Sequence, residues 1–154
     1  GTQAPFQTVG SPWVNPQRLL SRLRVQDMAG LAPQPISFMP RSLPGRASAP
    51  KLQGRRLGGA HLAVRHWRQV DGLRSGIAVF QALHSAAQRR GKRFLANKRF
   101  LTLLTGSARF TRMLLARTPP QAIAAAWDAD VRAFRRARAP FLITAYDVQP
   151  RIDH

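Results

Sequence analysis

The side chains able to do chemistry in this sequence are narrow in kind. Of 154 residues, 25 are Lys or Arg and 6 are acids, and every acid is Asp. With no Glu and no Cys, the chain cannot supply a Glu general acid or nucleophile, an HExxH zinc helix, a thiolate, a disulfide or a Cys-ligated metal. Asp128 and Asp130 stand at i and i+2, which sets them apart on a helix, so they do not form an acid/base pair. Ser75 and Ser107 come without the His/Asp arrangement of a hydrolytic triad and read as helix caps. His61, His66 and His84 lack metal-ligand spacing. The sequence therefore assigns no catalytic residue, no metal and no cofactor.

What remains is cationic. The formal charge is +19 and the lysines are only Lys51, Lys92 and Lys98. Such a charge invites a basic nucleic-acid-binding module as one reading. Against it, the Arg residues are dispersed, and no zinc-finger spacing, RNP-like aromatic motif or phosphate loop accompanies them. An Ala/Arg/Gly/Pro bias of this kind is also what GC-rich coding produces. Two clusters stand out, Arg89-Arg90-Gly91-Lys92-Arg93 and Arg132 with Arg135, Arg136 and Arg138.

The elements that must position these groups follow from spacing. Pro5 to Val9 predicts a short strand, with Phe6 and Val9 as its apolar residues, and Gly10-Ser11-Pro12 a turn before Trp13. Asn15-Pro16 is an N-cap followed by Pro at the first helical position. Leu19, Leu20 and Leu23 continue that helix to about Val25, and Gly30 and Pro33 close the unit. Pro35 to Met39 predicts a strand, Pro40 to Gly59 a long surface loop, and Ala60 to Trp67 a strand with Leu62 and Val64 on one face. From about Ser75 the period becomes helical through Ile77, Phe80, Leu83 and Ala87, with Gly91 as the stop. Asn97 caps a helix carrying Phe100, Leu101 and Leu104 that ends at Gly106. Ser107 caps the next, with Phe110, Met113 and Leu114. Thr118-Pro119-Pro120-Gln121 reads as a capping box opening one long helix to Arg138. Its face would be Ile123, Trp127, Val131 and Phe134, with Pro140 ending it. Phe141-Leu142-Ile143 then opens a strand or extended tail to Tyr146. Mixed elements without a repeat make the class α+β, a single mixed domain with a few short strands and about five helices. No apolar run approaches the roughly 20 residues of a membrane span. Gly1-Thr2-Gln3-Ala4-Pro5 is no signal peptide, and the chain reads as an interior piece of a longer protein or as a processed or trimmed chain.

Five stretches in this order resemble one family. They are Pro5-Phe6 through Gly10-Ser11-Pro12-Trp13; Phe38-Met39-Pro40; Gly58-Gly59-Ala60-His61-Leu62 with Val64; Arg74-Ser75-Gly76-Ile77 leading into the Leu83 helix; and Leu104-Thr105-Gly106-Ser107. The last runs on through Trp127, Phe134, Arg138 and Leu142 to Tyr146. Together they resemble the C-terminal domain of NamZ-type exo-β-N-acetylmuramidases, bacterial glycosidases that remove terminal N-acetylmuramic acid from peptidoglycan fragments. The likeness departs at His66 and Ala108, where the family carries acids, at Val70, where it carries an aromatic, and in the loop before Gly58, which there includes a Cys.

The resemblance implies a C-terminal domain over residues 1–146, with 147–154 a tail, and an N-terminal Rossmann-like catalytic domain that is absent from this chain and carries the catalytic Glu. It implies a substrate cleft between the two domains, a peptidoglycan-derived saccharide as ligand, and a periplasmic or secreted parent. This chain would then shape the cleft and be inactive alone. Three residues are the substrate-binding candidates. Trp13 can stack on a sugar ring, or simply pack. Arg41 and Arg46, in the long loop, can offer a bidentate fork to the lactyl carboxylate of N-acetylmuramic acid, or bind nothing specific. A third reading is a structural domain that touches no ligand.

Overall fold

Asn15 begins the first helix as its type predicts: its Oδ1 accepts the Arg18 N–H at 2.9 Å, and Pro16 needs no partner for its nitrogen at the first helical position. This helix, α1, spans Pro16–Arg24 in a computed structural model that describes residues 1–24, 28–95 and 97–143. Around it lie three strands, β1 (Thr8–Ser11), β2 (Leu31–Phe38) and β3 (Leu57–Val64). They form one antiparallel sheet in the order β1-β3-β2. Then come α2 (Gly72–Gln88), α3 (Lys98–Thr105), α4 (Ala108–Leu115), α5 (Pro120–Ala125) and α6 (Asp128–Arg138). The class is α+β, one mixed domain.

Two apolar clusters hold these layers. Leu19 and Leu23 of α1 meet Ala60 of β3 and Ala78, Ala82 and Leu83 of α2 in the first. Ile77 of α2 meets Leu101, Phe110, Leu114 and Ile123 in the second. The long α2 therefore belongs to both. A relay of ring contacts also crosses between them, from Trp13 to Phe94, Phe80, Phe110 and Trp127, with centroids 5.8–6.4 Å apart. Aromatic edges and faces attract at such separations.

Capping follows the sequence at several helices. Asn97 Oδ1 accepts from the Phe100 N–H at 2.8 Å and Ser107 Oγ from the Arg109 N–H at 3.1 Å. Gly106 closes α3 in the left-handed region. Asp71, not Ser75, caps α2, accepting the Arg74 N–H at 2.9 Å, and Ser75 lies buried within the helix.

Several boundaries and faces differ from expectation. Phe6 is in no strand; it has φ 64° and is fully exposed, and β1 starts two residues later. The second strand begins at Leu31 and runs through Pro33 and Pro35. It can do so because β2 is an edge strand, where a residue without an N–H breaks no second ladder. Leu57, Gly58 and Gly59 belong to β3 rather than to the loop, while Val64 is exposed and Trp67 sits in an exposed 3-10 turn over Trp67–Gln69. On the short α3 only Leu101 is buried, and Phe100 and Leu104 face outward.

The largest correction is the expected helix from Thr118 to Arg138. Thr118 forms no capping box; its carbonyl accepts from Gln81 Nε2, and Pro119 stands at the N-cap with no side-chain bond. The chain tightens between α5 and α6, where the Ala126 N–H reaches Ile123 O at 3.2 Å and the Trp127 N–H reaches Ala124 O at 3.1 Å. Such i→i−3 bonds wind more sharply than an α-helix and rotate the next helix's face. Ile123 is therefore fully buried, but Phe134 is 64% exposed. Phe141 lies in a second 3-10 turn, Ala139–Phe141, and is exposed. The expected continuations to Val25 and Tyr146 lie outside the described residues.

Candidate functional site

β1 ends in the turn Ser11-Pro12-Trp13, closed by the Val14 N–H on Ser11 O at 3.2 Å. This turn delivers Trp13 to the side of the sheet where α2 ends. Trp13 is half-buried, and its ring meets Phe94 edge-on, with centroids 6.4 Å apart and an interplanar angle of 86°. Beside the pair opens a cleft of about 810 Å³. One wall is Lys51, Leu52 and Arg55 from the long loop, and another is Lys92 and Arg93, just beyond α2. The loop is tied back by the Gly54 N–H on Pro40 O and the Arg41 N–H on Gly1 O, each 3.0 Å. Four cations and no carboxylate line this cleft, so it attracts anions.

A smaller cleft of about 360 Å³ lies against Trp13 as well, lined by Asn15, Arg18, Arg89 and Arg90. Nearby His84 is buried against Phe94. Burial, and then the charge of Arg117, lower its pKa below the ordinary histidine value and favour the neutral ring. Elsewhere an apolar groove of about 440 Å³ runs past Leu73, Gly76, Leu104, Trp127 and Val131. Among the described residues no three His or acidic groups converge as a metal site, and no helix is long and apolar enough to cross a membrane.

Of the three sequence candidates, only Trp13 lines the main cleft. Arg41 and Arg46 are exposed in the same long loop and are not among its lining residues. Sequence reasoning missed Lys51 and Arg55 as the loop's cleft-lining cations, and Lys92, Arg93 and Phe94 as the facing wall. The run at residues 89–93 was visible as a cluster; its meeting with Trp13 depends on the α1–α2 packing and has no local signature.

The structure superposes on the crystal structure of a DUF1343 family protein from Bacteroides fragilis NCTC 9343 with a TM-score of 0.75 and 18% sequence identity. The match covers 90% of this chain but 35% of that one, so this chain spans about a third of that protein. No curated protein matches the sequence. Residues 1–143 match the family model described as exo-beta-N-acetylmuramidase NamZ, C-terminal. The fold, the order of the five motifs and this match over nearly the whole chain agree, and the chain belongs to the NamZ C-terminal domain family.

Proposed function

We propose that this chain is the substrate-shaping domain of a peptidoglycan-degrading exo-β-N-acetylmuramidase, acting beside an N-terminal catalytic domain of the same parent. The observation that carries the reading is the cleft itself: an indole and a phenyl ring beside four cations, without an acid. N-acetylmuramic acid presents the complementary pair, a sugar ring with an apolar face and a lactyl carboxylate. Arg and Lys hold a carboxylate through charge-assisted hydrogen bonds, and the ring offers a face to Trp13. Family membership supports association with a glycosidase. Most glycoside hydrolases use two carboxyl groups across the scissile bond. This chain has no Glu, and its described Asp residues serve helix starts: Asp71 caps α2, and Asp128 and Asp130 stand in the first turn of α6. In this reading the acid and the nucleophile or base come from the other domain.

Titration of the chain with N-acetylmuramic acid, followed by the Trp13 indole N–H resonance, tests the binding. The sugar should shift that resonance, and Lys51→Gln with Arg55→Gln should weaken it about tenfold, the scale of losing a charge-assisted contact. N-acetylglucosamine, which lacks the lactyl group, should bind more weakly. Equal response to both sugars would remove the carboxylate from the argument. The same preparation should release no N-acetylmuramic acid from its para-nitrophenyl glycoside; turnover at the rate of a two-domain family member would overturn the division of labour.

The charge also favours a rival, a basic nucleic-acid-binding module. The prediction against it concerns salt. Short RNA, DNA and heparin should bind with similar affinity at low salt and be almost fully released by about 0.2 M sodium chloride, because counterion release drives all three. Tight binding retained above that concentration, or preference for one sequence, would favour the module.

A further inference from the structure

The run Arg89-Arg90-Gly91-Lys92-Arg93 is divided by its own backbone. Gly91 has φ 59°, in the left-handed region that glycine enters without strain. The Lys92 N–H returns to Ala87 O at 2.9 Å and the Gly91 N–H to Gln88 O at 3.0 Å. This pair of bonds is a Schellman turn. It sends Arg89 and Arg90 into the smaller cleft and Lys92 and Arg93 into the larger one. Trp13 is a wall of both. None of these four cations has an ion-pair partner among the described residues. In the smaller cleft Arg89 and Arg90 join Arg18. Partial desolvation, and then the like charges of Arg22 and Arg18, lower the pKa of Arg89.

We propose that the two clefts flanking Trp13 form one bipartite site for a glycan carrying two oxyanionic groups, one held by Lys51, Arg55, Lys92 and Arg93 and the other by Arg18, Arg89 and Arg90. This rests on the reading of the larger cleft as a muramic acid site and adds a second anion pocket to it. A muramic acid with a phosphate on its ring has this chemistry: the lactyl carboxylate is the first anion and the phosphate the second.

Calorimetric titration of the whole chain at 0.15 M salt tests it with three probes: N-acetylmuramic acid, its 6-phosphate, and N-acetylglucosamine 6-phosphate, which has the phosphate without the lactyl carboxylate. N-acetylmuramic acid 6-phosphate should bind with 1:1 stoichiometry about tenfold more tightly than N-acetylmuramic acid, and N-acetylglucosamine 6-phosphate should lack that gain. Arg18→Gln with Arg89→Gln should abolish that gain and leave N-acetylmuramic acid binding unchanged. Arg135→Gln with Arg136→Gln, an equal charge loss on α6, should change neither by more than about twofold. Thermal midpoints of the variants report whether each folds. If N-acetylmuramic acid binds but no second anion adds affinity, or if the α6 pair matters as much as the cleft pair, the bipartite site is wrong while the muramic acid reading stands. If N-acetylmuramic acid does not bind at all, both fail.

Discussion

Gly59→Ala is expected to cost about 3 kcal/mol or more, enough to unfold a large fraction of a domain whose whole stability is of order 5–15 kcal/mol. A Cβ on Gly59 would stand 2.0 Å from the Val9 carbonyl oxygen and 2.8 Å from Gly10 Cα. Both are backbone atoms of β1, so no rotamer change can relieve the clash. Gly59 faces Gly10 in the register, and Gly58 faces Ser11. Relief would need β1 to move off β3, and β1 leads directly into Trp13. The substitution should therefore lower the urea midpoint and loosen the cleft together. Gly76→Ala is the matched control. It lies inside α2, where an added Cβ meets nothing within 4 Å. There the usual helical advantage of Ala over Gly, roughly 0.5–1 kcal/mol, should appear as a gain. A Gly59→Ala protein within about 0.5 kcal/mol of the parent, the scatter of innocuous surface changes, would show that β1 can retreat freely.

These two glycines show where sequence reasoning loses reach. Asn15, Asn97 and Ser107 were legible as caps because a cap is a contract among three or four neighbouring residues. Gly91 and Gly106 were legible for the same reason. Gly58 and Gly59 read as the end of a loop, since glycine is poor strand material. They are strand residues because another strand and the start of α1 crowd them: a Cβ on Gly58 would lie 2.2 Å from Val14 O. That neighbour is more than forty positions away, and no local pattern encodes it.

The cleft divides in the same way. Trp13 follows a turn whose residues announce it, so its place at a corner could be read. Its partners could not. Lys51 and Arg55 reach it across the sheet's end, and Lys92 and Arg93 reach it because α2 packs along α1 and stops at the right height. Arg41 and Arg46 had the right chemistry and the right loop, but the loop's ties at Gly1 and Pro40 fix which of its cations line the cleft.

Ile123→Ala is expected to cost about 2–5 kcal/mol, the range for deleting a buried Ile side chain, while Phe134→Ala should stay within about 0.5 kcal/mol. A single straight helix from Thr118 would predict similar large losses, because Ile123, Trp127, Val131 and Phe134 share one face at helical spacing. The tightened turn at Ala126 and Trp127 breaks that equivalence. Ile123 has no exposed surface and touches the second cluster, whereas Phe134 is 64% exposed and its nearest ring contact is the Arg138 guanidinium, 5.9 Å away. Trp127 stands between the two. It is half-buried, with its ring 5.9 Å from Phe110, so Trp127→Ala should fall near the lower end of the roughly 3–5 kcal/mol usual for a large aromatic. Denaturant midpoints of the three variants rank the positions without reference to activity. The order Ile123 and Trp127 far above Phe134 supports the bend. Equal losses at Ile123 and Phe134 would mean that α6 packs on the face its periodicity suggests, and the geometry described for α5 and α6 would be wrong.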